Sequence, residues 1–121
     1  MGLQDYLVRE IERFAEALAL ILHRKRLGLP NEAQDTLDDA VETLFGLPMA
    51  DLRGLAREDF LARCTAAGVG SGERAIAVAD LLREDDDPAG RERARWLYEA
   101  ALASGDAVPL DVYDRIAALR G

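Results

Sequence analysis

The sequence predicts an all-α protein of five or six helices packed as antiparallel hairpins, and three observations lead to that class. Half of the 121 residues are apolar. Ala and Leu, both strong helix formers, supply most of them. Apolar residues recur at intervals of three and four along most of the chain, and no stretch alternates with period two. Glycine and proline separate the periodic segments, as they do where helices end.

The first helix is predicted over residues 4–27. Its apolar stripe follows a spacing of four and three that keeps these side chains on one face: Leu7, Ile11, Phe14, Leu18 and Ile21. Leu20 and Leu22 widen the apolar arc, so this helix should contact more than one neighbour. Gly28 and Pro30 should end it, with Gly28 in the left-handed conformation.

A second helix, a short turn and a third helix are predicted next. Asn31 should cap the second helix, which runs to about residue 45 and buries Ala33, Leu37, Ala40, Val41 and Leu44. Asp51 should cap a turn over residues 52–55. The third helix is predicted over residues 57–67, with three side chains facing inward: Phe60, Leu61 and Cys64.

Two loops contain residue types that bind ions elsewhere, and both are interpreted as turns. Residues 68–72 are glycine-rich, but they lack the Gly-Lys-Ser/Thr ending and the preceding strand of a phosphate-binding loop. Ser71 is expected to cap the next helix. A calcium loop starting at Asp85 would need a carboxylate about eleven residues later, where Trp96 stands. Residues 85–87 therefore predict a solvated turn.

Three more helices complete the predicted fold. The fourth covers residues 73–84 and buries Ile76, Ala79 and Leu82. The fifth follows a cap at Asp87 and a first-turn proline at Pro88, ends before Gly105, and buries Ala94, Leu97, Tyr98, Ala101 and Leu102. The last covers residues 109–119 and buries Leu110, Val112, Tyr113, Ile116 and Leu119.

The chain is predicted to be one domain, residues 1–121, with a weak internal repeat. A shift of 61 residues superposes Ala33 on Ala94 and Ala40 on Ala101. Hairpins over residues 4–46 and 72–104 would then be quasi-repeats, capped by residues 109–120. Coincidence remains the alternative, because such matches arise readily in a helical chain rich in alanine.

The second helix of each hairpin shares a pattern, Ala33-x-x-x-Leu37-x-x-Ala40 and Ala94-x-x-x-Tyr98-x-x-Ala101. This pattern resembles the second helix of a tetratricopeptide repeat, which implies a right-handed array of hairpins. The first helices lack that family's Trp, Leu-Gly and Tyr positions, so the likeness concerns packing and not peptide recognition.

A further resemblance depends on three segments, of which the first is distinctive and the others are general helical patterns: Gln4-Asp5-Tyr6-Leu7-x-Arg9-x-Ile11-Glu12, Glu32-Ala33 and Leu44-Phe45-Gly46-Leu47. Together they resemble a bacterial domain-of-unknown-function family of small helical proteins with tetratricopeptide-like character. The resemblance covers nearly the whole chain. It implies the fold, and it carries no activity and no site residue.

Charge and composition bear on location and partners. A net charge of −8 repels phosphate backbones, so nucleic acid is not an expected partner. The one basic turn, residues 23–26, is interpreted as cations at a helix C-terminus. The longest apolar run, residues 17–22, is too short for a membrane span. A single cysteine and an N-terminus without a basic leader point to the cytoplasm.

No catalytic set, metal site or cofactor site is predicted, so the chain is not expected to be an enzyme. His23 is the sole histidine, and Cys64 has the spacing of a buried apolar residue. Asp38 and Asp39 are adjacent, so they point about 100° apart on a helix and cannot form a carboxylate pair.

Three residues are candidates for partner binding. Tyr6 and Arg9 lie on the first helix, where Arg9 can form ion pairs with Asp5 and Glu12. This edge is either a recognition surface or an ordinary stabilised helix face. Trp96 is either an anchor for a partner or part of the edge of the core.

Two functional hypotheses from different classes follow. The first is a non-enzymatic scaffold that binds another protein, or a second copy of this chain through apolar surface left on the first helix. The second is a small-molecule-binding or enzymatic domain with a pocket between the hairpins. Its residues would be Tyr6, Arg9, His23, Tyr98 or Tyr113. An enclosed pocket would favour the second hypothesis, and a flat patch or groove the first.

Overall fold

A computed structural model describes residues 3–64, 71–103 and 111–120 of the chain. Within these residues the chain forms seven helices and no strand, which confirms the all-α class. The helices are α1 (Leu3–Arg26), α2 (Pro30–Phe45), α3 (Met49–Arg53), α4 (Arg57–Cys64), α5 (Ser71–Leu82), α6 (Pro88–Ala103) and α7 (Val112–Arg120). The count exceeds the prediction because the short turn expected over residues 52–55 is a separate helix, α3, that begins earlier.

The ends of the helices follow glycine and proline more closely than the predicted polar caps. Gly28 and Gly46 have φ angles of 75° and 74°, the left-handed conformation expected after α1 and α2. Asn31 is not a cap, because α2 already begins at Pro30, which needs no partner for a backbone N–H. Asp51 is not a cap either and lies inside α3, which follows Pro48.

At the start of α6 the predicted polar cap is present. The backbone N–H of Ala89 donates to Asp87 Oδ1 at 2.8 Å. Ser71 is the first residue of α5, but the predicted role of its side chain lies outside the described structure, as do residues 65–70, Gly105 and Leu110.

Helix α1 lies between α2 and α5. Phe14, near the middle of α1, contacts Phe45 at the end of α2 with the ring centroids 5.9 Å apart, as an antiparallel hairpin requires. Helices α1 and α5 run in the same direction, since Glu10 pairs with Arg74 early in α5 and Lys25 pairs with Glu84 just after its end. Helix α6 packs antiparallel to α5 and also contacts α3, α4 and α7.

The core consists mainly of the residues that the periodicity predicts. Fully buried side chains include Phe14, Ile21, Leu37, Val41, Phe60, Leu82, Leu97, Tyr98 and Val112. Ile11 and Leu18 are only partly buried, although both were predicted to lie on the inward stripe of α1. Tyr113 was predicted to be buried, and this prediction is wrong, because its side chain is 70% exposed. The reason is that Val112 and Ile116, four residues apart, face the core and turn Tyr113 about 100° away.

No helix in the described ranges is both long enough and apolar enough to cross a membrane.

Candidate functional site: the groove between α1 and α5

An open groove runs between the two parallel helices α1 and α5. Its first part is a hollow of about 240 Å³ lined by Ile11, Phe14, Ala15, Leu18, Glu73, Ile76, Ala77 and Asp80. Its second part, about 270 Å³, is lined by Leu18, Leu22, Asp80, Arg83, Glu84, Asp111 and Arg115. The two hollows share Leu18 and Asp80, so they form one continuous depression.

The groove exists because α1 carries two apolar stripes and the fold covers only one. Phe14 and Ile21 belong to the buried stripe, which packs against the core. The second stripe is rotated by roughly 60–120° and follows a spacing of three and four: Val8, Ile11, Ala15, Leu18 and Leu22. Val8 is 49% exposed, and Ala15 is also exposed. Ile11, Leu18 and Leu22 are partly buried, so the second stripe is only partly covered along one wall of the groove.

Two ion pairs hold the helices together at the ends of the groove. Near its start, Arg74 Nη2 lies 2.8 Å from Glu10 Oε1, and both side chains are largely buried. The same guanidinium donates to the backbone oxygen of Cys64 and lies 6.0 Å from the centroid of the Phe14 ring. At the far end, Lys25 Nζ donates to the carboxylate of Glu84 at 3.1 Å and to its backbone oxygen at 2.9 Å. The separation of α1 and α5 is thereby fixed at both ends.

Asp80 is the polar group at the centre of the groove. Its Oδ1 accepts a hydrogen bond from the Tyr98 hydroxyl at 2.5 Å and another from Arg115 Nη1 at 2.7 Å. Burial, and then the bond to Asp80, raise the pKa of Tyr98 well above its ordinary value of 10. Tyr98 therefore stays protonated and acts as a fixed donor behind the groove wall. It is not poised to exchange a proton.

The charged residues around the groove are mainly acidic. The lining residues include four carboxylates, those of Glu73, Asp80, Glu84 and Asp111, and two guanidiniums, those of Arg83 and Arg115. Arg115 already bonds to both Asp80 and Asp111. Glu73 is exposed at the start of α5. An approaching segment would thus meet an apolar floor with a net negative rim.

The three predicted partner-binding residues do not line this groove. Tyr6 is 65% exposed and Arg9 is exposed, both near the start of α1. Trp96 lies on α6 and is partly buried. Its ring meets Phe60 of α4 edge-on with the centroids 6.0 Å apart, and the Arg93 guanidinium lies 4.8 Å from the Trp96 ring centroid. Of the two readings of Trp96, its contacts are those of a residue at the edge of the core.

The residues of the alternative pocket are also dispersed. His23 is exposed in the last turn of α1, and Tyr113 is exposed on α7. Tyr98 alone of that set reaches the groove, through its bond to Asp80. Cys64 is fully buried, and its burial raises the pKa of the thiol to about 12, which matches its predicted role as an apolar core residue. The structure therefore does not bring the five residues of the alternative pocket together into a catalytic arrangement.

A buried polar cluster around Asp85 was missed by the sequence interpretation. The predicted solvated turn is wrong at this residue, which is 2% exposed. Arg53 donates to its two carboxylate oxygens, from Nη2 at 2.6 Å and from Nε at 2.9 Å, and Gln34 Nε2 donates at 3.0 Å. The only local signal was Gly90, whose absent side chain leaves room for the carboxylate. With these donors Asp85 joins α2, α3 and the α5–α6 turn, and its role is structural.

Comparison with known proteins does not assign the groove a role: no family model, curated protein or solved structure matches the chain. Among the residues that the structure describes, no group of three or more His, Cys, Asp or Glu side chains is placed to hold a metal ion. The likeness to tetratricopeptide repeats and to a bacterial family stays a prediction.

Proposed function

We propose that this chain is a non-enzymatic, cytoplasmic protein-binding module of bacterial origin, and that its partner docks in the groove between α1 and α5. The observation that carries the proposal is the second apolar stripe of α1, which contributes Ile11, Ala15 and Leu18 to one wall of the groove and leaves Val8 exposed beside it. A continuous apolar strip with a charged rim is typical of a surface that binds another protein.

The arrangement of the hairpins supports the scaffold hypothesis and the tetratricopeptide-like part of it. Helices α1 and α5 each pair with the helix that follows them, and they lie side by side in the same direction. The ends of the groove are fixed by a largely buried ion pair, Glu10–Arg74, and a partly buried one, Lys25–Glu84. A preformed surface of this kind loses little conformational entropy when a partner binds.

The shape of the groove favours a protein over a small molecule. Small-molecule sites bury most of the surface of their ligand and direct a few polar groups toward it. Here Ala15 and Glu73 of the lining are exposed, and the central carboxylate of Asp80 is already bonded to Tyr98 and Arg115. Its Oδ1 is therefore poorly suited to hold a small polar ligand as well.

Site-directed photo-cross-linking in the producing cell tests this proposal. A photoreactive amino acid at Ala15 lies in the groove, and the same amino acid at Ala50, exposed on α3, serves as the matched control. We expect a discrete protein adduct from position 15, absent from position 50 and reduced when Ala77 of the opposite wall is changed to Arg. Equal adduct patterns at both positions, or an adduct with only the mass of a small molecule, would contradict the proposal.

A further inference from the structure

We propose that the occupant of this groove is a cationic amphipathic helix of about four turns, supplied by a different protein. The inference rests on the proposed function and deepens it, because it specifies the conformation, length and charge of the docked segment. Each of these three properties follows from a different feature of the groove.

The conformation follows from the walls. Both are helices, so their backbone N–H and C=O groups are bonded within α1 and α5 and offer no sheet edge to an incoming strand. An extended segment would have to place its own backbone polar groups against Ile11, Leu18 and Ile76 without partners. A helix satisfies those groups internally and can set a row of apolar side chains between α1 and α5.

The length follows from the open stripe. Val8 and Leu22 are its first and last members, and the helical rise places them about 21 Å apart. An antiparallel or parallel helix of about four turns covers that distance, with apolar residues at intervals of three and four. A shorter segment would leave one of the two hollows unfilled.

The charge follows from the rim, and mainly from Glu73, which is exposed beside the first hollow. Glu84 and Asp111 flank the second hollow, where Glu84 is paired with Lys25 and Asp111 with Arg115. Lys or Arg residues flanking the apolar face of the docked helix would lie close to these carboxylates, whereas acidic residues would be repelled. Cationic flanks also match the chain as a whole, whose net charge is −8.

The same charges argue against a second copy as the occupant. Two copies would each contribute a net charge of −8 and would bring their acidic rims together. The stripe of α1 in a second copy is also itself a groove wall, with Glu12 and Glu73 beside it and the basic turn of residues 23–26 only at its end. Self-association is therefore kept as an outcome that the experiment must exclude.

The test uses two synthetic helical peptides of about fifteen residues with the same Leu stripe. In one peptide the flanking positions are Lys, and in the other they are Glu. Fluorescence anisotropy measures the binding of each peptide to the wild-type chain and to two variants. Ala15→Glu places a carboxylate in the groove, and Ala50→Glu places the same charge on α3 outside it.

We expect the Lys peptide to bind the wild-type chain at least about tenfold more tightly than the Glu peptide, with a smaller ratio at high salt. Ala15→Glu should weaken the Lys peptide about tenfold although it adds an attractive charge, and Ala50→Glu should leave its binding unchanged. Glu73→Gln removes a carboxylate from the rim, so it should reduce the ratio between the affinities for the Lys peptide and the Glu peptide.

Four outcomes overturn the inference. Equal binding of both peptides, abolished by Ala15→Glu, would show a docking groove that does not select cations. Binding that Ala15→Glu leaves unchanged would show diffuse attraction to an acidic surface. Absence of binding for both peptides would reject a helical occupant, while cross-linking from position 15 still decides whether the groove docks any protein. A wild-type dimer that Ala15→Glu dissociates would identify a second copy as the occupant.

Discussion

The Tyr98 hydroxyl donates a hydrogen bond to Asp80 Oδ1 at 2.5 Å, and this contact joins the buried core of α6 to the wall of the groove. Arg115 of α7 donates to the same oxygen at 2.7 Å. The carboxylate of Asp80, which lines the proposed docking surface, therefore holds α5, α6 and α7 together. The position of the groove wall depends on core contacts as well as on the ion pairs at its two ends.

Removal of the Tyr98 hydroxyl should destabilise the fold without opening a large cavity. Tyr98→Phe keeps the ring but loses the hydrogen bond to a charged acceptor, so we expect the free energy of unfolding to fall by about 1.5–3 kcal/mol. Tyr113→Phe is the control, because Tyr113 is 70% exposed, and its effect should lie within about 0.5 kcal/mol. Urea unfolding of both variants checks the difference, and equal effects would contradict it.

Gly90 should not tolerate any side chain. A Cβ at this position would lie 1.9 Å from Asp85 Oδ2, so Gly90→Ala must displace the buried carboxylate that Arg53 contacts. We expect a loss on the order of 3 kcal/mol, measured by thermal or urea unfolding. Gly54→Ala is the matched control, since the nearest atom would be 3.6 Å away, and it should be close to neutral. A neutral Gly90→Ala would mean that Asp85 can leave its buried position at little cost.

Two neighbouring apolar residues of α1 should differ in their contribution to stability. Phe14 is 1% exposed, and Phe14→Ala should cost about 3–5 kcal/mol because it leaves a cavity in the core. Leu18 is only partly buried where it lines the groove, so Leu18→Ala should cost about 1–2 kcal/mol. Denaturant titration of the two variants measures both values. Equal losses would show that Leu18 is buried in the core, and this would contradict an open groove at that residue.

Alkaline pH should weaken the fold through Cys64. Burial raises the pKa of this thiol from 9 to about 12, although Arg74 and Arg63 oppose the shift, so the native chain keeps the proton to higher pH than the unfolded chain. The protonated Cys64 thiol makes its full contribution to the free energy of unfolding below pH 9. This contribution is lost as the pH rises toward 12, by at most about 1.4 kcal/mol per pH unit.

The Cys64→Ala variant isolates this contribution. Its free energy of unfolding, measured by urea titration at several pH values, should start to fall only above about pH 10, where the raised pKa of Tyr98 acts in the same direction. The wild-type chain should already lose stability between about pH 9 and 10. If the free energy of unfolding changes equally with pH for the two proteins in that interval, the fold does not raise the pKa of Cys64.

The sequence was sufficient for most helices and core faces, because their signals are local. Each of these signals depends on residues within a few positions of one another. Examples are the spacing of Phe14 and Ile21, the left-handed conformation of Gly28 and the cap at Asp87. Tyr113 was misplaced because apolar residues occur on two faces of α7, and only the packing against α6 decides which face is inward.

The Asp85 cluster and the groove depend on contacts that periodicity does not report. Asp85 bonds to Gln34 and Arg53, which are 51 and 32 residues away along the chain. The sequence does show that the apolar arc of α1 is wider than one stripe, because Leu20 and Leu22 extend it. Which part of that arc stays uncovered depends on where α5 lies. The acidic rim combines Glu73 of α5 with Asp111, which precedes α7 and is 38 residues away along the chain.

The accessibility of the second apolar stripe of α1 is tested most directly by the reaction of an Ala15→Cys variant with a thiol reagent. The native Cys64 provides no background, since it is fully buried and its pKa is raised to about 12. We predict that one thiol per folded chain reacts, at a rate within about tenfold of that of a free cysteine at both low and high protein concentration, and that the Lys peptide slows it. A thiol at position 15 that reacts as slowly as Cys64 at every concentration would show that the chain covers its own groove, and protection that appears only at high concentration would show that a second copy covers it.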